Sequence, residues 1–362
     1  MADQSAILVV DGLQVHRGKK LIVDIPHLEL QRGETLAVAG PNGAGKSTFL
    51  LAIAGLIKIS SGDITLNQIS TRNSPASIRQ QCALVLQEPL LLHSTVRENI
   101  GIGLGFRQMG REETRTRVDH WMEVFGIAHL AQRQAFRLSG GEARRVSLAR
   151  AFATGADLLL LDEPFSALDA PTRSTIINDF QSILKSSRQT AIFITHDLDE
   201  ALMLGSRIAI LIGGKLRQVG EPRQVFTEPA DSVVADFVGV ENVLPGEVAS
   251  QVDGLTEVRV GSHLLETVSE LPAGRSVYLC LRPEDITILC QSGDGQSSAR
   301  NRISCVVRQI LPKGPLSRVT MVNDQIHLVS LITRASAVDM GLVPGMKVIA
   351  SFKASAAHLL PR

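Results

Sequence analysis

The chain has 362 residues, 44% apolar and 20% charged, with 37 Lys and Arg against 36 Asp and Glu for a net charge of +1. That length suits two domains better than one core, and the balanced charge offers no field to draw nucleic acid or acidic lipid. No segment is apolar and long enough to cross a bilayer, so a membrane partner is expected to be a separate chain.

Met1 to Ser5 lack the basic head and apolar run of an export signal. From Ile7 to Val15 the pattern alternates in part, turns at His16 to Lys20 and returns through Leu21 to Val23, as in an antiparallel edge sheet. Thr35 to Ala39 reads as a short buried strand that runs into Gly40-Pro41-Asn42-Gly43-Ala44-Gly45-Lys46-Ser47-Thr48, with a helix following from Ser47 to Gly55. Between Glu88 and Arg150 the β signal fades. Glu112 to Leu130 is an amphipathic helix with Val118, Trp121, Met122 and Phe125 on its core-facing stripe. Strands return at Leu158 to Leu161 and Thr190 to Thr195, separated by a helix from Thr172 to Ser186, and Ile208 to Ile212 ends in a Gly213-Gly214 hairpin turn.

Beyond Asn242 short β-type runs dominate: 256–260, 276–281, 303–310, 318–322, 326–331 and 347–352, with a polar loop at 291–298. Cys82, Cys280, Cys290 and Cys305 form no close pair, which reads as buried free thiols rather than a zinc or redox motif.

A loop of the form G-x-x-x-x-G-K-S/T turns backbone N–H groups around phosphates, Lys46 reaching the β- and γ-phosphates and the Ser47 hydroxyl ligating Mg²⁺. Asp162, at the tip of four leucines, is a second candidate for Mg²⁺, and Glu163 is placed to orient or deprotonate an attacking water. Ser139, Gly140, Gly141 and Glu142 open a helix with a hydroxyl and free N–H groups, an anion site without its own lysine.

In this order the motifs resemble the ATP-binding subunit of an ABC transporter, over about residues 7–235. The resemblance implies an α/β fold: an ABC-type P-loop NTPase domain at 5–236, with a mixed, mostly parallel sheet, an antiparallel edge sheet and a helical subdomain at about 88–150. It implies ATP and Mg²⁺ as cofactors, Gln87 as the residue touching Mg²⁺ or water beside the membrane subunit, and His196 as a γ-phosphate contact. Glu163, His196, Gln87 and Lys46 then form the catalytic set. Leu138 to Glu142 matches the signature, with Glu142 for the commoner glutamine, and covers the ATP of an opposing subunit in a homodimer. Ser166 and Asp169 belong to the loop crossing that interface, and His16 stands where an aromatic residue usually stacks on adenine.

The tail, 237–362, resembles a TOBE or molbindin-like OB barrel. Leu281-Arg282-Pro283-Glu284-Asp285-Ile286 is similar to accessory domains of importers, while 298–301, 331–336 and 352–356 are similar to a molybdate-binding module. This implies uptake of molybdate or tungstate through integral-membrane permease subunits and an extracytoplasmic binding protein, at the cytoplasmic face of the cell (inner) membrane and without a nucleic-acid partner. Ser298, Arg300, Ser336 and Lys353 are the candidate regulatory oxyanion residues; the alternative is a purely structural, dimerising barrel. Sulfate, polyamine, sugar or ferric ion are alternative solutes, and a non-transport ABC ATPase or a non-enzymatic oxyanion sensor are alternative classes.

Overall fold

The computed structural model describes residues 6–166, 168–252, 254–269, 271–290, 298–323 and 326–361. Met1 to Ser5, Ala167 of the interface loop and all but Ser298 of the polar 291–298 loop lie outside the described residues. The chain divides into two units, Met1–Arg223 and Gln224–Arg362. That division falls ahead of position 236 because the intervening residues are tied into the second unit: the Arg282 guanidinium lies 5.4 Å over the Phe226 ring and donates to the Phe226 carbonyl.

The first unit opens with a hairpin, β1 (Ala6–Arg17) and β2 (Lys20–Gln31), then β3 (Thr35–Ala39), α1 (Lys46–Ile53), the edge hairpin β4 (Ser61–Leu66) and β5 (Ile69–Ser70), α2 (Pro75–Gln81) and β6 (Cys82–Val85). Helices α3 (Val96–Phe106), α4 (Arg111–Val124) and α5 (Gly140–Ala153) intervene before β7 (Leu158–Asp162), α6 (Ala170–Ser187), β8 (Ala191–Thr195), α7 (Leu198–Leu204) and the hairpin β9 (Arg207–Ile212) and β10 (Lys215–Gly220). The sheet order is β5-β4-β1-β2-β10-β9-β3-β8-β7-β6. Strands β9, β3, β8, β7 and β6 run parallel, and β1, β2, β4 and β5 pair antiparallel.

Every residue of β3, β7 and β8 is buried, which is why these strands read as unbroken apolar runs rather than alternating ones. Leu158 to Leu161 are each 0% exposed, and burial of such a side chain contributes about 1.5–3 kcal/mol. The expected helix at 112–130 stops at Val124: Gly126 adopts φ 66°, a left-handed conformation that ends helices, and a short 3₁₀ turn follows at Ala128–Leu130. Trp121 packs 4.9 Å from the Phe152 ring as part of the core between α4 and α5.

In the second unit, α8 (Pro222–Thr227) and α9 (Ser232–Phe237) lead into β11 (Asn242–Val252), β12 (Leu255–Val260), β13 (His263–Thr267), β14 (Ser276–Leu281) and β15 (Thr287–Leu289). Then come β16 (Asn301–Lys313), β17 (Leu316–Asn323), β18 (Ile326–Thr333), α10 (Arg334–Asp339), β19 (Lys347–Phe352) and β20 (His358–Pro361). The barrel is made of two antiparallel sheets, β13-β12-β11-β14-β20 and β15-β19-β16-β17-β18, around one apolar core. Buried Asn242 joins them, donating Nδ2 to Leu281 O (3.1 Å) and Val329 O (3.0 Å) and accepting from Val329 N (2.6 Å). Burial pushes the Cys82 and Cys280 thiols up to about 12 and that of Cys305 up to about 11, whereas Cys290 is exposed, contrary to the reading of four buried thiols.

Candidate active site

Four parallel strands end side by side. Ala39 pairs with Thr195, Asp162 with Ile194 and Val85 with Leu161, so the residues after β3, β6, β7 and β8 emerge along one carboxyl edge. Those residues are the glycine loop, Gln87, Asp162 with Glu163, and His196. Open α/β sheets bind ligands at this edge.

The glycine loop is wedged between two hairpins. A Cβ on Gly40 would lie 2.0 Å from the Leu211 carbonyl oxygen; Gly45, at φ 94°, would place one 2.6 Å from that of Ile22. The Gly214 amide donates to Ala44 O at 3.1 Å. Lys46 is 6% exposed and donates Nζ to Gly40 O (2.8 Å) and Pro41 O (3.0 Å), so its amine sits inside the loop's own curve. Burial lowers its pKa, opposed by the nearby charges of Glu163 and Asp162. Asn42 and Gly43 lie exposed on the rim, and Thr48 is half-buried behind it.

Ser47 Oγ donates to Asp162 Oδ1 at 3.1 Å, which brings the two proposed Mg²⁺ ligands together. Burial raises the Asp162 pKa; Ser47 and Lys46 oppose this and Glu163 adds to it. Glu163 Oε1 lies 3.1 Å from His196 Nδ1, and Glu163 Oε2 accepts from Gln87 Nε2 at 3.4 Å. Gln87 Nε2 also reaches Ser166 Oγ (3.3 Å), which donates to Glu163 O (3.1 Å). Among the described residues no cluster of three or more His, Cys, Asp or Glu side chains converges. One carboxylate and one hydroxyl beside a phosphate loop fit Mg²⁺, which takes few protein ligands and completes its shell with substrate phosphates and water.

Ser139 caps α5 in a reciprocal capping box. Its side chain accepts from Glu142 N (3.3 Å), and its own N–H is taken by Glu142 Oε2 (2.7 Å). That bond holds the Glu142 carboxyl below the usual range, and Arg133 Nη1 stands 3.4 Å from Oε1. Gly140 faces open space. A Cβ on Gly141 would meet Thr172 Cγ2 at 2.8 Å, so this glycine lets α5 approach α6. Asp169 caps α6 by accepting from Thr172 N at 3.3 Å.

Sequence reasoning missed the support behind His196. Arg173 on α6 donates Nε to Glu200 Oε1 (2.9 Å) and Nη2 to Asp197, while Thr195 Oγ1 donates to buried Glu200. This pins both neighbours of His196. Arg173 and Glu200 are 27 residues apart and belong to no recognisable motif.

His16 is exposed at the end of β1, where its amide donates to Ser60 Oγ (3.1 Å) and the strand pairs it with Leu21, next to the Ile22 that abuts Gly45. In the tail, Arg300 is clasped by Glu266 through Nε and Nη2 (3.1 Å), and Asn301 Oδ1 accepts from Glu266 N (2.7 Å). Asn301 pairs with Phe352, so Arg300 and exposed Lys353 adjoin at the start of the thirteen-residue β16, with exposed Ser298 just upstream. Ser336 is elsewhere. Its hydroxyl bonds Thr333 (2.7 Å) in a helix whose Arg334 N donates to Pro315 O, at the other end of β16. The four tail residues therefore do not form one site within the chain.

Residues 23–166 match the ABC transporter family and residues 297–359 the TOBE domain. The chain is 38% identical to the molybdate/tungstate import ATP-binding protein of Pyrococcus horikoshii, covering 92% of this chain and 94% of that one. It is 32% identical to the spermidine/putrescine import ATP-binding protein of Oleidesulfovibrio alaskensis, covering 80% and 78%. A solved ATP-binding cassette, described as a dimeric post-hydrolysis state bound to ADP and Pi, matches with TM-score 0.54 and 28% identity over 60% of this chain and 99% of that one.

Proposed function

The chain belongs to the ABC transporter family as an ATP-hydrolysing importer subunit, and from that premise we propose a head-to-tail homodimer that drives oxyanion uptake through a membrane permease. The observation that carries this reading is the division of the site. Lys46, Ser47, Asp162, Glu163 and His196 gather at one sheet edge, while Ser139 starts a separate helix with no hydrogen bond to any of them among the described residues. An anion-binding helix start without its own lysine is suited to close over a neighbour's nucleotide.

Residue by residue, the loop amides and Lys46 hold the phosphates, and Ser47 and Asp162 hold Mg²⁺. When bound, Mg²⁺ offsets charge on the transferring phosphoryl group. Glu163 orients a water and takes its proton, while His196 and Gln87 hold the two carboxylate oxygens. His16 offers an exposed ring for the base.

Molybdate and tungstate are the proposed solutes because likeness to a molybdate/tungstate import protein spans both units at the higher identity. No helix among the described residues is long and apolar enough to cross a membrane, which suits a peripheral subunit at the cytoplasmic face. An extracytoplasmic binding protein would deliver the solute. For the tail, the Arg300–Glu266 pair supports a structural role. Cells lacking the chain should lose uptake of labelled molybdate and tungstate while retaining that of spermidine. Loss of spermidine uptake alone would reassign the solute.

A further inference from the structure

Helix α5 carries three arginines with no part in the hydrolytic scheme above; Arg145 pairs with Asp179 (2.8 Å), and the other two bind main-chain carbonyls. Arg144, on the turn after Ser139, is 1% exposed and donates Nη1 to Leu86 O (2.9 Å) and Nη2 to Gln87 O. Arg150, in the last turn, donates Nη1 to Leu90 O at 2.9 Å. Among the described residues neither has a carboxylate partner, and a guanidinium stays charged when buried. A buried charge without a counter-ion is tolerated only where its hydrogen bonds are kept, so the Leu86 and Gln87 carbonyls are tied to α5 through Arg144.

Gln87 is thus gripped through its main chain while its side chain reaches forward to Glu163 Oε2 (3.4 Å) and Ser166 Oγ (3.3 Å). The same helix begins at the Ser139 anion site. One side chain therefore joins the end of α5 that faces an opposing nucleotide to the amide that touches this subunit's own hydrolytic carboxylate.

We propose that Arg144 is a positioning residue that couples the Ser139 end of α5 to Gln87, so that displacement of the helix is transmitted to Glu163 through the Leu86 and Gln87 carbonyls, with Arg150 holding the far side of the segment. This rests on the two-subunit reading of Ser139 given above. Residues 86–90 and α5 move as one body. Alignment of Gln87 then depends on what α5 has closed upon.

The test is a mutant cycle in the full-length chain, reading kcat, KM for ATP and the melting temperature. Arg144→Met should lower kcat about tenfold with KM unchanged, and Arg144→Lys should recover part of the loss. Adding Arg144→Met to Gln87→Ala should slow the enzyme no further, since the arginine acts through the glutamine. Losses that multiply, or an Arg144→Met enzyme as fast as the unaltered chain, would overturn the proposal. Should Arg144→Met not fold, Arg150→Met takes its place in the cycle, with a loss of a few fold that again vanishes in the Gln87→Ala background; a loss that persists there overturns the coupling. Absence of ATP hydrolysis by the unaltered chain would instead overturn the functional reading, and this proposal with it.

Discussion

His196 Nδ1 lies 3.1 Å from Glu163 Oε1, so the residue that follows β8 holds the carboxylate that follows β7. Glu163 adopts φ 42°, a left-handed conformation unusual for a side-chain-bearing residue, while its N–H donates to Ile194 O at 3.1 Å. Backbone strain of this kind persists where the surroundings impose it, and here it turns the carboxylate to the sheet edge beside Lys46.

Glu163→Gln should lower kcat by roughly 10²- to 10⁴-fold, the span expected for loss of a general base. ATP binding should persist because the Lys46 loop is untouched, and the ATP-bound dimer should live longer. Steady-state ATPase assays with sedimentation in ATP read both effects. Near-normal turnover would remove Glu163 from its role.

Asp162→Asn should stabilise the nucleotide-free chain and abolish its further stabilisation by ATP with Mg²⁺. Burial raises the Asp162 pKa above its unfolded value, so the folded state binds the proton more tightly. That contribution is fully present below the unfolded pKa and is lost as pH rises through the folded one. Melting curves from pH 4 to about 7 should therefore fall with pH more steeply in the unaltered chain than in the variant. A variant that melts lower at neutral pH contradicts this.

The two signature glycines should separate. Gly141→Ala sets a Cβ against Thr172 Cγ2, where overpacking costs about 1–3 kcal/mol. Gly140→Ala meets open space and should leave the melting temperature within a degree or two, on the order of the error of a surface substitution. If the proposed two-subunit site forms, it should nonetheless reduce ATPase activity, because a second subunit's nucleotide would close on that face. Full activity in Gly140→Ala would argue against closure there.

Calorimetry of the full chain with molybdate should show no saturable heat, because Arg300 is engaged by Glu266 and Ser336 lies at the other end of β16. Glu266→Ala, which frees Arg300 beside Lys353, is the variant in which anion binding should emerge. Saturable binding by the unaltered chain that disappears in Lys353→Ala would restore an oxyanion site to the tail.

Much of the site was legible because its chemistry is local. Nine consecutive residues make the phosphate loop, Asp162 and Glu163 follow a leucine strand, and Ser139 with Glu142 caps a helix three residues on. Some helices and single strands were legible for the same reason, such as 172–186 and 158–161, but the break at Gly126, the strands β11 and β13 and most of β2 were not. The sequence by itself thus determined the identity, order and spacing of the candidate phosphate-binding residues.

Tertiary structure decided what stands behind them. The order β3-β8-β7-β6 brings Gln87, Glu163 and His196 together, and the order β2-β10-β9-β3 on the other side places Ile22 and Leu211 where the loop glycines cannot bear a side chain. Arg144 gripping the Gln87 carbonyl, Arg173 pinning the neighbours of His196 and Glu266 claiming Arg300 are likewise products of packing. The physical reason is that a motif records contacts within one turn or loop. An arginine's partner tens of residues away is chosen by strand order and burial, which leave no spacing to read.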